Sequence, residues 1–142
     1  MNQYKISEYY NPYVYIWLLT ITAMILLIII IGGLTRLTNS GLSITDWRPV
    51  LGIFPPLTYE NWTKVFEMYK QSPEFKIVNK NITLNEFKYI FWWEWFHRLF
   101  ARLIGLVFLI PLFYFILKKQ ISRILFLRII IVFIFGVFQA FV

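Results

Sequence analysis

Val14-Tyr15-Ile16-Trp17-Leu18-Leu19-Thr20-Ile21-Thr22-Ala23-Met24-Ile25-Leu26-Leu27-Ile28-Ile29-Ile30-Ile31-Gly32-Gly33-Leu34 contains no charged residue. A helix needs about 20 such residues to cross ~30 Å of hydrocarbon. Two further runs follow. Phe96 to Leu117 carries charge only at its beginning, and Leu125 to Val142 carries only Arg128. With 59% of 142 residues hydrophobic and 21% aromatic, the composition excludes an ordinary soluble domain and makes the lipid bilayer the solvent. Only helices and closed barrels satisfy the backbone without water, so an all-α integral membrane fold with three transmembrane helices is expected. The third run reaches the C-terminus at Phe138-Gln139-Ala140-Phe141-Val142 without a turn or polar tail, which reads as a fragment with a truncated last helix.

The formal charge of +7 has no soluble basic face or RNA-binding motif beside it, so it belongs to membrane topology and not to nucleic acid. Lys118-Lys119-Gln120-Ile121-Ser122-Arg123 is short, cationic and free of acid, which places it in the cytoplasm. This predicts a cytoplasmic N-terminus (1–13), spans at 14–34, 91–117 and 125–142, an outer loop at 35–90 and a cytoplasmic loop at 118–124. Lys5 is accompanied by Glu8 and no small-x-small cleavage site follows the first run, so that run is a retained helix and not a signal peptide. The absence of an Arg-rich transit peptide favours a bacterial inner membrane over a mitochondrial one. Cysteine is absent, which excludes disulfides and thiolate metal sites.

Trp47, Phe54, Trp62, Phe66 and Tyr69 give the outer loop the wrong composition for disorder. After Pro55-Pro56, the residues Trp62, Val65, Phe66 and Tyr69 recur at helical spacing, predicting a short amphipathic interfacial helix. Its apolar face either packs on the protein or forms a lid over a ligand. Thr83-Leu84-Asn85-Glu86 has the form of a capping box, so the second long helix begins near Leu84, and its length of about 50 Å exceeds the bilayer core. Trp92, Trp93 and Trp95 fall where an aromatic belt is expected.

Glu94-Trp95-Phe96-His97-Arg98 places an acid, a histidine and a cation where this helix enters hydrocarbon. Ionisable groups at membrane depth are functional by default. At about 100° per residue Glu94, His97, Arg98, Ala101 and Gly105 share a face, with Arg102 at its margin. A flat macrocycle fits beneath His97 if Ala101 and Gly105 leave room, with His97 binding the haem iron, Arg98 or Arg102 pairing a propionate, and Glu94 accepting protons. The structural alternative stands beside it. Glu94 and Arg98 form a favourable i, i+4 pair, and the small residues permit close helix packing. A di-iron bundle needs a second Glu-x-x-His motif, which the other spans lack. One histidine in the chain leaves a bis-histidine haem or a His-only zinc site incomplete.

Gly32-Gly33-Leu34-Thr35-Arg36-Leu37-Thr38, Ser40-Gly41-Leu42-Ser43, Asp46-Trp47-Arg48-Pro49, Pro55-Pro56-Leu57, Trp62, Pro73-Glu74-Phe75, Glu86-Phe87-Lys88 and Glu94-Trp95-Phe96-His97-Arg98 resemble, in order and spacing, the heme A synthase family of mitochondrial and alphaproteobacterial type. The resemblance implies an eight-helix membrane protein of two four-helix halves that oxidises a ring methyl of heme O to the formyl of heme A for cytochrome oxidase. It also implies that His97 matches a histidine serving the substrate haem, that Glu94 matches the family's acid, and that a haem b belongs to the C-terminal half. Heme O synthase, cytochrome oxidase assembly factors and further copies of the chain are the implied partners. Ala101 stands where the family more often has glycine. Because the second half is absent, the chain alone is not expected to be active, and a truncated or split gene product is the corresponding reading. A non-catalytic b-type haem anchor and a degenerate gene product are the alternatives.

Overall fold

The computed structural model describes residues 11–45 and 53–141, with the side chains of 140 and 141 left aside. The expected cytoplasmic N-terminal tail with Lys5 and Glu8, and the Asp46-Trp47-Arg48-Pro49 motif, lie outside the described residues. Among the described residues all regular structure is helical: α1 (Pro12–Leu37), α2 (Tyr59–Lys70), α3 (Pro73–Ile77), α4 (Leu84–Leu117) and α5 (Arg123–Phe141). Of these, α1 and α4 are long and apolar enough to cross a membrane, and α5 occupies the third apolar run. The chain divides between Thr22 and Ala23 and between Gly105 and Leu106 into two compact units.

The first unit joins the start of α1, the end of α4 and α5 around Val14, Trp17, Ile21, Phe108, Leu112, Phe115 and Ile129, all buried. Ile16 and Leu19 on α1, Ile110 and Phe113 on α4, and Ile131 and Phe135 on α5 point outward. That is the expected exposure where lipid tails replace water. Burial of apolar area drives little association there, and packing with interhelical hydrogen bonds holds the helices together. Phe108 stacks on Phe133 with centroids 5.3 Å apart, and Trp17 lies 5.5 Å from Phe115.

Pro111 interrupts α4. It has no N–H for the carbonyl four residues earlier, which is that of Val107, and an unsatisfied carbonyl in hydrocarbon is costly. The Trp17 indole N–H donates to this oxygen at 2.9 Å, so α1 supplies the bond that the proline removes. Trp17→Phe should therefore destabilise the unit by about 1–3 kcal/mol, the loss incurred when a buried acceptor is orphaned. Adding Pro111→Ala, which restores the helical donor, should recover part of that loss in an SDS unfolding titration. Equal losses in the two backgrounds would remove the indole–carbonyl bond from the account.

The cationic connection 118–122 turns on Lys119 at φ 54°, with Lys119 N–H donating to Ile116 O at 3.0 Å and Gln120 N–H to Phe115 O at 2.9 Å. This Schellman closure ends α4, and the Ser122 hydroxyl accepts from Leu125 N–H at 3.2 Å to begin α5.

The second unit is built on the other ends of α1 and α4. The expected capping box at the start of α4 is present: Glu86 Oε2 accepts from Thr83 N–H at 2.7 Å, while Thr83 Oγ1 accepts from Glu86 N–H at 3.3 Å. Pro55-Pro56 precedes α2, whose Thr58 hydroxyl caps Asn61 N–H at 3.2 Å. As expected, one face of α2 carries the buried Trp62, Phe66 and Tyr69. They pack with Phe87, Ile90 and Phe91 of α4, with Phe75 of α3 beside them. The aromatic face is thus an internal core and not a lid. Sequence reading did not anticipate α3, although Ser72-Pro73 is a helix start: the serine hydroxyl accepts from Phe75 N–H at 3.2 Å and proline occupies the first turn.

Candidate functional site

Thr35, Arg36 and Leu37, expected at the start of the outer loop, form the last turn of α1. The helix closes as a Schellman motif with Asn39 at φ 50°. Asn39 N–H donates to Arg36 O at 3.1 Å and Ser40 N–H to Thr35 O at 2.9 Å. The polar turn that follows is tied down at both ends. The Asn79 amide donates to Asn39 O at 3.1 Å and to the Tyr69 hydroxyl at 2.8 Å. Burial pushes the Tyr69 phenol above its ordinary pKa, an effect opposed by the Asn79 bond.

At the other end of the turn lies Glu94, buried on α4. Its Oε2 accepts from the Ser43 hydroxyl at 2.6 Å and from Ile44 N–H at 2.8 Å. Its Oε1 accepts from Arg98 Nε at 2.9 Å and also from Arg98 Nη2. The same Nη2 donates to Ile44 O at 3.2 Å. One carboxylate and one guanidinium, a turn apart on α4, thus grip both backbone polar groups of Ile44. Both oxygens of Glu94 are engaged, and Ser43 is the donor on Oε2 that a side-chain rotation can withdraw.

His97 makes no hydrogen bond to a described residue. Its Nε2 faces α1 at Gly32, where an added Cβ would lie 3.3 Å from the nitrogen. At neighbouring Gly33 a Cβ would meet nothing within 4 Å. The absent side chain at Gly32 is therefore what lets the imidazole come this close to α1. A cavity of about 520 Å³ opens here, bordered by Gly32, Thr35 and Arg36 of α1, Asn39 of the turn, Glu74 of α3, and Glu94, His97 and Arg98. Its size lies within the usual range for small-molecule sites.

Three of the four site residues expected from sequence, Glu94, His97 and Arg98, are brought to this cavity. Arg102, one turn below Arg98 and half-buried, is not among its lining residues. Ala101 and Gly105 do not border it either; Ala101 is exposed and nothing lies within 4 Å of a Cβ at Gly105. The small residue opposite His97 comes from α1, because helical periodicity fixes the direction of a side chain but not the neighbour it meets. Sequence reading gave no role to Gly32, Arg36, Ser43 or Glu74, although the family resemblance implies that the words Thr35–Thr38 and Ser40–Ser43 lie in the outer loop near the substrate site. Its available signal was the set of polar words closing α1, to which no role was assigned.

Residues 15–142 match the COX15-CtaA family, described as cytochrome oxidase assembly protein. The chain is 47% identical over 123 residues to the heme A synthase of Parvibaculum lavamentivorans, covering 87% of this chain and 36% of that protein. It is 49% identical over 135 residues to the heme A synthase of Nitrosomonas eutropha, covering 95% of this chain and 38% of that protein. A heme A synthase-mitochondrial ferredoxin fusion protein of Schizosaccharomyces pombe is 55% identical over 106 residues, 75% of this chain and 17% of the fusion. The chain thus spans little more than a third of the bacterial relatives. No solved structure matches.

Proposed function

This chain belongs to the heme A synthase family of cytochrome oxidase assembly proteins, and from that premise we propose that it forms the substrate-haem side of an enzyme oxidising a ring methyl of heme O to a formyl group. The observation that carries the reading is His97 on the border of the cavity, beside Glu94 and Arg98 and without a hydrogen bond to a described residue. Imidazole is a common ligand of haem iron, and the cavity that His97 borders would receive the macrocycle.

In this reading His97 binds the iron of heme O and fixes the ring against the end of α1. Converting the methyl to a formyl with water as the oxygen source is a four-electron oxidation that also releases four protons. Glu94 lies one turn from His97, and rotation of the Ser43 hydroxyl away from Oε2 frees a lone pair to take a proton. Arg98 pairs the same carboxylate through Oε1 and so holds it in place beside His97. A haem b, which the family resemblance implies for the remainder of the protein, would take up the electrons there. The setting is a membrane. We place Lys118, Lys119 and Arg123 in the cytoplasm and the turn following α1 on the outer face of a bacterial inner membrane.

The test is to express the chain together with the portion of the N. eutropha heme A synthase beyond the matched region, in cells making heme O, and to extract the membrane haems. Heme A is expected, and Glu94→Gln should abolish it while leaving the polypeptide in the membrane. Haem-loaded protein with heme O unchanged would replace the synthase by a b-type haem anchor. Absence of both haem and heme A would end the proposal.

A further inference from the structure

The cavity holds two guanidinium groups in different electrostatic situations. Arg98 donates through Nε and Nη2 to Glu94 and through Nη2 to Ile44 O, so its fork is occupied in holding the turn. Arg36 lines the same cavity from α1, four residues after Gly32 and hence one turn further along the same helix face. Its guanidinium has no hydrogen bond or ion pair to a described residue, and it is exposed. A ligand seated at His97 Nε2 beside Gly32 therefore meets Arg36 by extending along α1 towards its C-terminal end.

We infer that Arg36, and not Arg98 or Arg102, binds a carboxylate of the macrocycle held at His97. This rests on the function proposed above and adds to it the residue that reads the acidic edge of the ligand. Guanidinium matches carboxylate geometry by paired donation, and such charge-assisted bonds are about twice as strong as neutral ones. Arg98 is unsuited because turning to a ligand would leave the buried Glu94 carboxylate without its counter-charge.

Esterification separates this role from a structural one and from pairing with a lipid phosphate, since neither alternative senses the ester. The full chain in detergent would be titrated with iron protoporphyrin IX and with its dimethyl ester, following the Soret band. Wild-type protein is expected to bind the acid more tightly than the ester. Arg36→Gln should weaken acid binding about tenfold, the size of one charge-assisted hydrogen bond, and leave ester binding unchanged. Arg36→Lys should recover part of the preference. Equal weakening for acid and ester would overturn the role of Arg36 while sparing His97 as ligand. If wild-type protein binds neither porphyrin, both the site and this role of Arg36 fall.

Discussion

His97→Gly is expected to weaken iron protoporphyrin binding by about a hundredfold or more, equivalent to roughly 2.7 kcal/mol or above, because it removes the chain's only histidine. Free imidazole added to this variant should restore a Soret band by occupying the vacated position. Gly32→Val should mimic the loss while retaining the ligand. Even a Cβ at position 32 lies 3.3 Å from Nε2, and the two methyls of valine would crowd the imidazole further. Gly33→Ala is the matched control, since its Cβ meets nothing within 4 Å. The readout is the porphyrin titration, with membrane insertion followed separately by carbonate extraction. Binding by Gly32→Val equal to that of the Gly33→Ala control would show that the ligand does not approach His97 from α1. Unchanged binding by His97→Gly without imidazole would remove the axial role altogether.

The second large effect concerns the pair beneath the turn. Arg98→Ala would leave Glu94, with its side chain 6% exposed, without a counter-charge. Breaking a buried pair from one side costs about 3–5 kcal/mol, and the partial exposure of Arg98 points to the lower end of that range. Glu94→Gln combined with Arg98→Ala should be much less destabilised than Arg98→Ala alone. The neutral amide keeps an acceptor for the Ser43 hydroxyl and Ile44 N–H while removing the orphaned charge. The SDS unfolding midpoint measures both variants, and faster trypsin cleavage after Arg36 would report release of the turn. If the double variant is no more stable than Arg98→Ala, the uncompensated charge is not what the arginine offsets. The pair is an i, i+4 bridge within α4, and it also fastens the polar turn bordering the His97 cavity.

Much of this molecule follows from one-dimensional pattern. The apolar runs specify helices because hydrocarbon leaves the backbone no other partner. The Thr83–Glu86 box marks the start of α4, and the spacing of Trp62, Val65, Phe66 and Tyr69 marks the face that α2 buries, since both are local consequences of helical geometry. Helical spacing likewise puts Glu94, His97 and Arg98 on one side of α4. What local pattern does not carry is contact between distant segments. Only the tertiary structure decided that Ser43 and Ile44, some fifty residues before Glu94, occupy its carboxylate. It also decided that α2 packs its aromatic face into a core, and that Gly32 of α1, and not Ala101 or Gly105 of α4, is the small residue that meets His97. Periodicity fixes the direction in which a side chain leaves its own helix; what stands opposite depends on where the intervening chain turns back, and at the end of α1 that turn is set by Asn39 in a left-handed conformation and by the groups that fasten it.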